Sequence, residues 1–273
     1  MSIDWSLLKA DTELRRLLKG DQFEAVLRNL GIDSASVKTV TIFTGLNSRA
    51  NSGLLLRGSF DGKEIAAGLK AKGWNQESLD GHKVYVNAAD YIAMPANNTV
   101  FAGTRAGAEG MFRAANNAKE SVVASDAYKK INAALSAKGQ PVRAYLLIQQ
   151  GTLEMADAAL AATSFALSLC NLGGVGRLLQ AANVARGFAV SVDHGTLQKY
   201  PVELCVLLRD EDSATFVNGS LNALKTISAF ASPGNHDGES LRALREMSIV
   251  RKQEVLAVKM EIPGSALFGP SSR

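Results

Sequence analysis

The most constraining feature of the chain is an order of predicted elements that occurs twice along its 273 residues. In the second half, residues 188–192 and 202–208 alternate with the period of half-buried strands, and the turn between them predicts an antiparallel hairpin. Acidic residues at 210–212 then begin a predicted helix. Its apolar residues recur at helical spacing: Phe216, Leu221, Leu224 and Ile227.

The first half of the chain has the same order. Residues 37–44 and 54–60 predict two strands, and Asp61 begins a helix after them. A closing strand is predicted at residues 82–88 in the first half and at 254–262 in the second. The chain therefore contains an internal duplication of structure, with little identity between the two copies.

Each half also begins with a strand and a helical segment, at residues 2–8 and 11–30 in the first half and at 142–148 and 153–185 in the second. The order βαββαβ is that of the ferredoxin-like unit. We therefore expect an α+β fold of two tandem ferredoxin-like units, each an antiparallel sheet with helices on one face. The expected domains are residues 1–139, which include connecting helices, and residues 140–273.

Four segments of the first half carry a family resemblance. They are residues 4–8 with the helix after them, the strand-to-helix step at 54–61, and the strands at 81–86 and 99–104. The chain resembles an uncharacterised family of bacterial proteins, mostly exported or lipid-anchored, that duplicates this same unit. The resemblance spans nearly the whole chain. It implies no reaction, and it points to a structural subunit of a bacterial envelope complex.

Composition limits the classes of partner. The chain has 30 basic and 26 acidic residues, a net charge of +4, which is far from the balance expected when affinity comes from phosphate neutralisation, so no nucleic acid partner is expected. Residues 158–176 carry no charge, but their Ser, Thr, Asn and Gly residues favour a buried helix over a membrane span. The sequence as given predicts a cytoplasmic protein, or a periplasmic or exported one if a signal peptide has been removed.

Chemistry-bearing residues are few and scattered. The two cysteines, Cys170 and Cys205, and three histidines have no metal-ligand spacing, so neither a metal nor a cofactor is expected. No catalytic residue is assigned. The alternative is a hydrolase-type enzyme whose site lies around Asp193 and His194, together with the loop at residues 47–49. A weak anion site is predicted at Thr104 and Arg105, where a strand leads into a helix.

One face of the second sheet has the composition of an interface. Strand alternation places six mostly apolar residues on the side that we expect the helices to leave open, and charged residues surround them. The six are Tyr145, Leu147, Cys205, Leu207, Val255 and Ala257. We expect this face to meet the first unit or a second copy, and Leu207→Asp to loosen that contact. The predicted function is a non-catalytic binding or assembly protein with a protein partner or self-association.

Overall fold

A computed structural model describes residues 1–12, 15, 20–45, 48–117, 121–135, 141–147, 185–195, 199–230, 242–243 and 245–263. These residues divide between two compact units, Met1–Ala124 and Ser125–Arg273. The predicted helix at 153–185 lies outside the described residues except for its last residue, and so do Cys170, the uncharged stretch at 158–176 and Asn47. Within the described ranges, no helix has the length and the apolar character needed to cross a membrane.

The first unit contains seven strands and four helices among its described residues. They are β1 (Ser2–Asp4), α1 (Trp5–Leu8), α2 (Gly20–Asn29), β2 (Val37–Gly45), β3 (Ser48–Gly58), α3 (Gly62–Ala71), β4 (Asn75–Leu79), β5 (His82–Asn87), β6 (Asp90–Ala96), β7 (Thr99–Gly103) and α4 (Arg105–Asn116). The strand order is β1-β2-β3-β7-β6-β5-β4, and every neighbouring pair is antiparallel.

Helix α4 packs on one face of this sheet, against β3, β6 and β7. Phe112 of α4 and Phe101 of β7 are both buried in the cluster that joins the helix to the sheet. The residues that alternate with this cluster, such as Leu56 and Val100, are buried on the opposite face. Trp5 of α1 is also buried and contacts the ring of Phe23 edge-on, with centroids 4.6 Å apart.

The second unit contains five strands and two helices among its described residues. They are α5 (Asp126–Ala134), β8 (Val142–Leu147), β9 (Ala185–Val192), β10 (Lys199–Leu208), α6 (Glu211–Phe230), β11 (Ser248–Lys252) and β12 (Val255–Pro263). The strand order is β8-β9-β10-β12-β11, again with antiparallel neighbours. Asp210 begins α6, because its carboxylate accepts a hydrogen bond of 2.7 Å from the Ser213 N–H.

The prediction of two ferredoxin-like units is wrong. In a ferredoxin-like unit the first two strands are parallel and another strand lies between them. Here β1 pairs directly and antiparallel with β2, and β8 pairs in the same way with β9. The strands of each unit therefore follow one another across the sheet in the orders 1-2-3-7 and 8-9-10-12. Alternation in the sequence determines which face a residue lies on, but it does not determine which strand is its neighbour.

The expectation that the helices lie on one face of each sheet is also wrong. In the second unit, α5 packs on β8, β9, β10 and β12 against the face that carries Cys205 and Ala257. Arg251 of β11 pairs in register with Leu256, which lies on the other face, and its guanidinium donates to the Glu211 carbonyl and the Thr215 hydroxyl of α6. The two helices therefore cover opposite faces.

Candidate interaction surface

The six residues predicted as an interface lie together in the second unit. Two rows of cross-strand partners bring them into contact: one joins Tyr145, Ala189, Cys205 and Ala257, and the other joins Leu147, Gly187, Leu207 and Val255. Cys205 and Leu207 are at most 3% exposed, and Val255 and Ala257 are also buried. Tyr145 and Leu147 pack against the same cluster from its edge.

Helix α5 covers this cluster, which we call the α5 cluster. Ile131 and Leu135 are buried in it, with Ala127 and Ala134 packed beside them. The Tyr145 hydroxyl donates to Asn132 Oδ1 at 2.8 Å, and Lys130 forms an ion pair with Glu254. That hydrogen bond from Lys130 holds the pKa of Glu254 below its ordinary value. The face that we expected the helices to leave open is therefore covered, and α5 occupies the place assigned to a partner.

A buried polar row borders the α5 cluster. Ser191, Glu203 and Lys259 are cross-strand partners on β9, β10 and β12. Ser191 is fully buried, Glu203 is 4% exposed, and Lys259 Nζ lies 3.4 Å from Glu203 Oε1. Burial, reinforced by the Glu203 charge, raises the pKa of the free Cys205 thiol to about 12, so this thiol is held protonated and poorly nucleophilic. Glu203, expected on the rim of an exposed patch, is thus part of the interior.

Asp193 and His194, the residues of the hydrolase-type alternative, lie just beyond β9. Asp193 Oδ1 accepts a hydrogen bond of 2.7 Å from the backbone N–H of His194, and the Asp193 N–H donates to the Pro201 carbonyl at 2.9 Å. The carboxylate thus fixes the turn that follows the strand. This contact gives no support to a catalytic role, which would require the carboxylate to orient a side-chain base or acid.

Thr104 and Arg105, the weak anion site, lie at the beginning of α4. The Thr104 hydroxyl accepts from the Gly107 N–H at 3.1 Å and donates to the Ser52 carbonyl, also at 3.1 Å. The Arg105 guanidinium donates to Glu109 on the next turn at 3.0 Å. The protein itself thus engages the groups that an anion would need, and the Ser52 carbonyl oxygen lies beside this helix end.

Metal-binding side chains are not gathered in the described ranges, where no group of three or more His, Cys, Asp or Glu residues could hold an ion. His82 stacks on the ring of Phe112, with centroids 4.1 Å apart, which is a packing contact within the first unit. His236 lies outside the described residues.

The surface that sequence reasoning missed is the outer face of α6. The helix buries Ala214, Val217 and Leu221 against its own unit. Phe216 and Ile227, which the sequence grouped with Leu221, are instead each 64% exposed. At 100° per residue they lie within about 20° of each other and about 120–140° from Leu221. Gly219 and Ala223 are exposed between them. We define the outer face by these four residues: Phe216, Gly219, Ala223 and Ile227.

The outer face carries little that favours water. Between Ser213 and Phe230 the helix has one charged residue, Lys225, whose Nζ donates to the Met247 carbonyl at 2.7 Å. The hydroxyls of Thr215, Ser220 and Thr226 donate to carbonyls one turn back along the helix at 2.8–3.0 Å. Because the helix already satisfies these donors, a partner that covers them strands none of them.

Gly219 lies in the middle of this helix without a reason inside the unit. A Cβ built at this position meets nothing within 4 Å, and Gly219 has no positive φ that would require glycine. Glycine in a helix interior is less favourable than alanine by about 1 kcal/mol. The packing of the second unit does not explain that loss, whereas the close approach of another chain to the helix backbone does.

Comparison with known proteins supports the fold. Crystal form I of TP0453 matches with 11% identity and a TM-score of 0.52, covering 98% of this chain and 89% of that chain. Crystal form III matches with 12% identity and a TM-score of 0.51, covering 98% and 90%. No family model and no curated protein matches the chain. TP0453 is bacterial, which agrees with the resemblance to a bacterial family. At this identity the likeness shows the fold alone.

Proposed function

We propose that the protein is a non-catalytic binding or assembly protein, a structural subunit of a bacterial complex, and that it acts through the outer face of α6. The observation that carries the proposal is the exposure of Phe216 and Ile227, 64% each, on one uncharged helix face. Large apolar side chains that are grouped on an uncharged surface are typical of interaction sites.

The gain from covering this face is large enough to matter. Full burial of a side chain of this size is worth about 1.5–3 kcal/mol, so burying the exposed two thirds of Phe216 and Ile227 contributes about 2–4 kcal/mol in total. This is the range of the few anchoring residues that dominate most interfaces. The apolar cluster around Leu207 is already covered by α5, so the outer face of α6 is the better candidate.

The test compares the size of the assembly in extracts of producing cells. Native electrophoresis and immunodetection follow the wild-type chain and the double variant Phe216→Ser with Ile227→Ser. We expect the wild type to migrate in an assembly larger than the chain's 28.9 kDa and the variant to migrate as the single chain. Both residues are exposed, so the substitutions leave the fold intact.

The matched control is Val122→Ser with Val123→Ser. These two apolar residues are also adjacent on the surface, 61% and 58% exposed, but they lie far along the chain from α6. We expect this variant to migrate like the wild type. The proposal is wrong if the wild type is a single chain in the extract, or if the two double variants change its migration equally.

A further inference from the structure

The outer face of α6 is complementary to itself. Phe216 and Ile227 are equally distant from the point between Leu221 and Asn222, and Gly219 and Ala223 lie on either side of that same point. When two such helices run antiparallel across a two-fold axis at this point, Phe216 of one faces Ile227 of the other. The large side chains then meet at both ends of the contact, about 16 Å apart along the helix.

The small residues lie where the two helices would be closest. Gly219 of one copy faces Ala223 of the other in this arrangement, so that the backbones approach with little side chain between them. Gly219 has open space around it within its own chain. A second helix fills that space and gives the glycine a packing role, because side-chain size at the contact sets the distance between helix axes.

Charge at the helix ends favours the same arrangement. Glu211 and Asp212, in the first turn of α6, are exposed acids. At the other end, the Arg245 guanidinium donates to the Ser228 carbonyl at 2.6 Å. An antiparallel pair brings the acidic first turn of one helix near Arg245 of the other at both ends, whereas a parallel pair would set acids against acids. No charged side chain lies on the face between these ends.

We propose that the occupant of the outer face is a second copy of this chain, bound through an antiparallel pair of α6 helices around a two-fold axis. This inference rests on the proposed function, of which it names the partner. Since an isologous contact uses the same patch on both copies, one substitution changes the interface twice.

Sedimentation velocity of the purified full-length chain, from about 1 to about 100 µM, tests the inference. The wild type shifts from one chain to two over this range. Ala223→Glu, which places a carboxylate in the middle of the face on both copies, weakens the dimer at least about tenfold. Ala229→Glu adds the same charge at an exposed position about 120° around the helix, and it leaves the dissociation constant unchanged.

Gly219→Ala gives an independent reading of the same contact. Because the added methyl group meets nothing in the single chain, it raises the thermal stability of the monomer, while it pushes the paired helices apart and weakens the dimer severalfold. A gain in both properties contradicts the arrangement.

The remaining outcomes separate the two proposals. A purified chain that stays single at every concentration, although extracts contain a larger assembly sensitive to Phe216→Ser and Ile227→Ser, overturns the second copy as occupant and leaves the binding function standing. A dimer that Ala223→Glu leaves unchanged, or that Ala229→Glu weakens equally, forms elsewhere and also overturns the inference. A single chain in both experiments overturns both proposals.

Discussion

Gly107→Ala is the most informative substitution in the first unit, because two opposing effects can be set against each other. Alanine is favoured over glycine inside a helix by about 1 kcal/mol. A Cβ at Gly107 would, however, lie 2.3 Å from the Ser52 carbonyl oxygen, where 3.4 Å or more is ordinary contact. The Ser52 carbonyl must therefore retreat by roughly an ångström from α4.

The retreat is expensive because this carbonyl has two partners on the helix. It accepts hydrogen bonds from the Thr104 N–H and the Thr104 hydroxyl, both at 3.1 Å. Losing them costs about 1 kcal/mol each, and shifting packed backbone adds about 1–2 kcal/mol. After the gain in helix propensity, we expect Gly107→Ala to destabilise the first unit by about 2–3 kcal/mol.

Urea unfolding followed by tryptophan fluorescence measures this effect selectively, because both tryptophans, Trp5 and Trp74, belong to the first unit. Gly68→Ala in α3 is the matched control, since a Cβ at Gly68 meets nothing within 4 Å. It should raise stability by about 0.5–1 kcal/mol. Equal changes for Gly107→Ala and Gly68→Ala would refute the contact between α4 and β3 on which the reasoning depends.

Three further predictions concern the second unit. Lys130→Met should cost about 0.5–1 kcal/mol at pH 7; because the folded pKa of Glu254 is below its ordinary 4.5, this difference should persist above that pH and disappear as Glu254 protonates below it, which urea titrations at several pH values would show. Cys205 should react with a thiol reagent only after unfolding, as peptide mass mapping would detect, and fast labelling of the native chain would contradict its burial. Leu207→Asp should release α5 and destabilise the unit by about 3 kcal/mol or more, seen as new protease sensitivity at α5, whereas an unchanged digestion pattern would show that the α5 cluster is not packed as described.

Period-two alternation predicted what is local to a strand. The hairpins β2–β3 and β9–β10 and the helix that follows each of them lie where the pattern placed them, within a few residues. The loop expected at 45–53 is largely strand, since β3 begins at Ser48. Strand β4, which is polar and exposed along most of its length, offered no apolar alternation to detect.

Long-range arrangement could not be predicted in this way. A helix between two strands can return the chain either beside the first strand or one strand further along, and the alternation of residues is the same in both cases. The six residues of the proposed interface were therefore placed on one face without any sign that α5, expected as a linker, would pack on them. The α6 helix shows a different limit: Phe216 and Ile227 share helical spacing with each other, yet they form a second apolar stripe beside the buried one that contains Leu221.

The central claim is that another protein chain covers the outer face of α6. Replacing Phe216 by p-benzoylphenylalanine in producing cells and irradiating them tests it most directly, with the same replacement at Ala229 as the control on the same helix. The account predicts a cross-linked product from position 216, at twice the mass of the chain if the partner is a second copy, and none from position 229. A chain that stays uncross-linked at position 216, or that yields the same products from both positions, would contradict it.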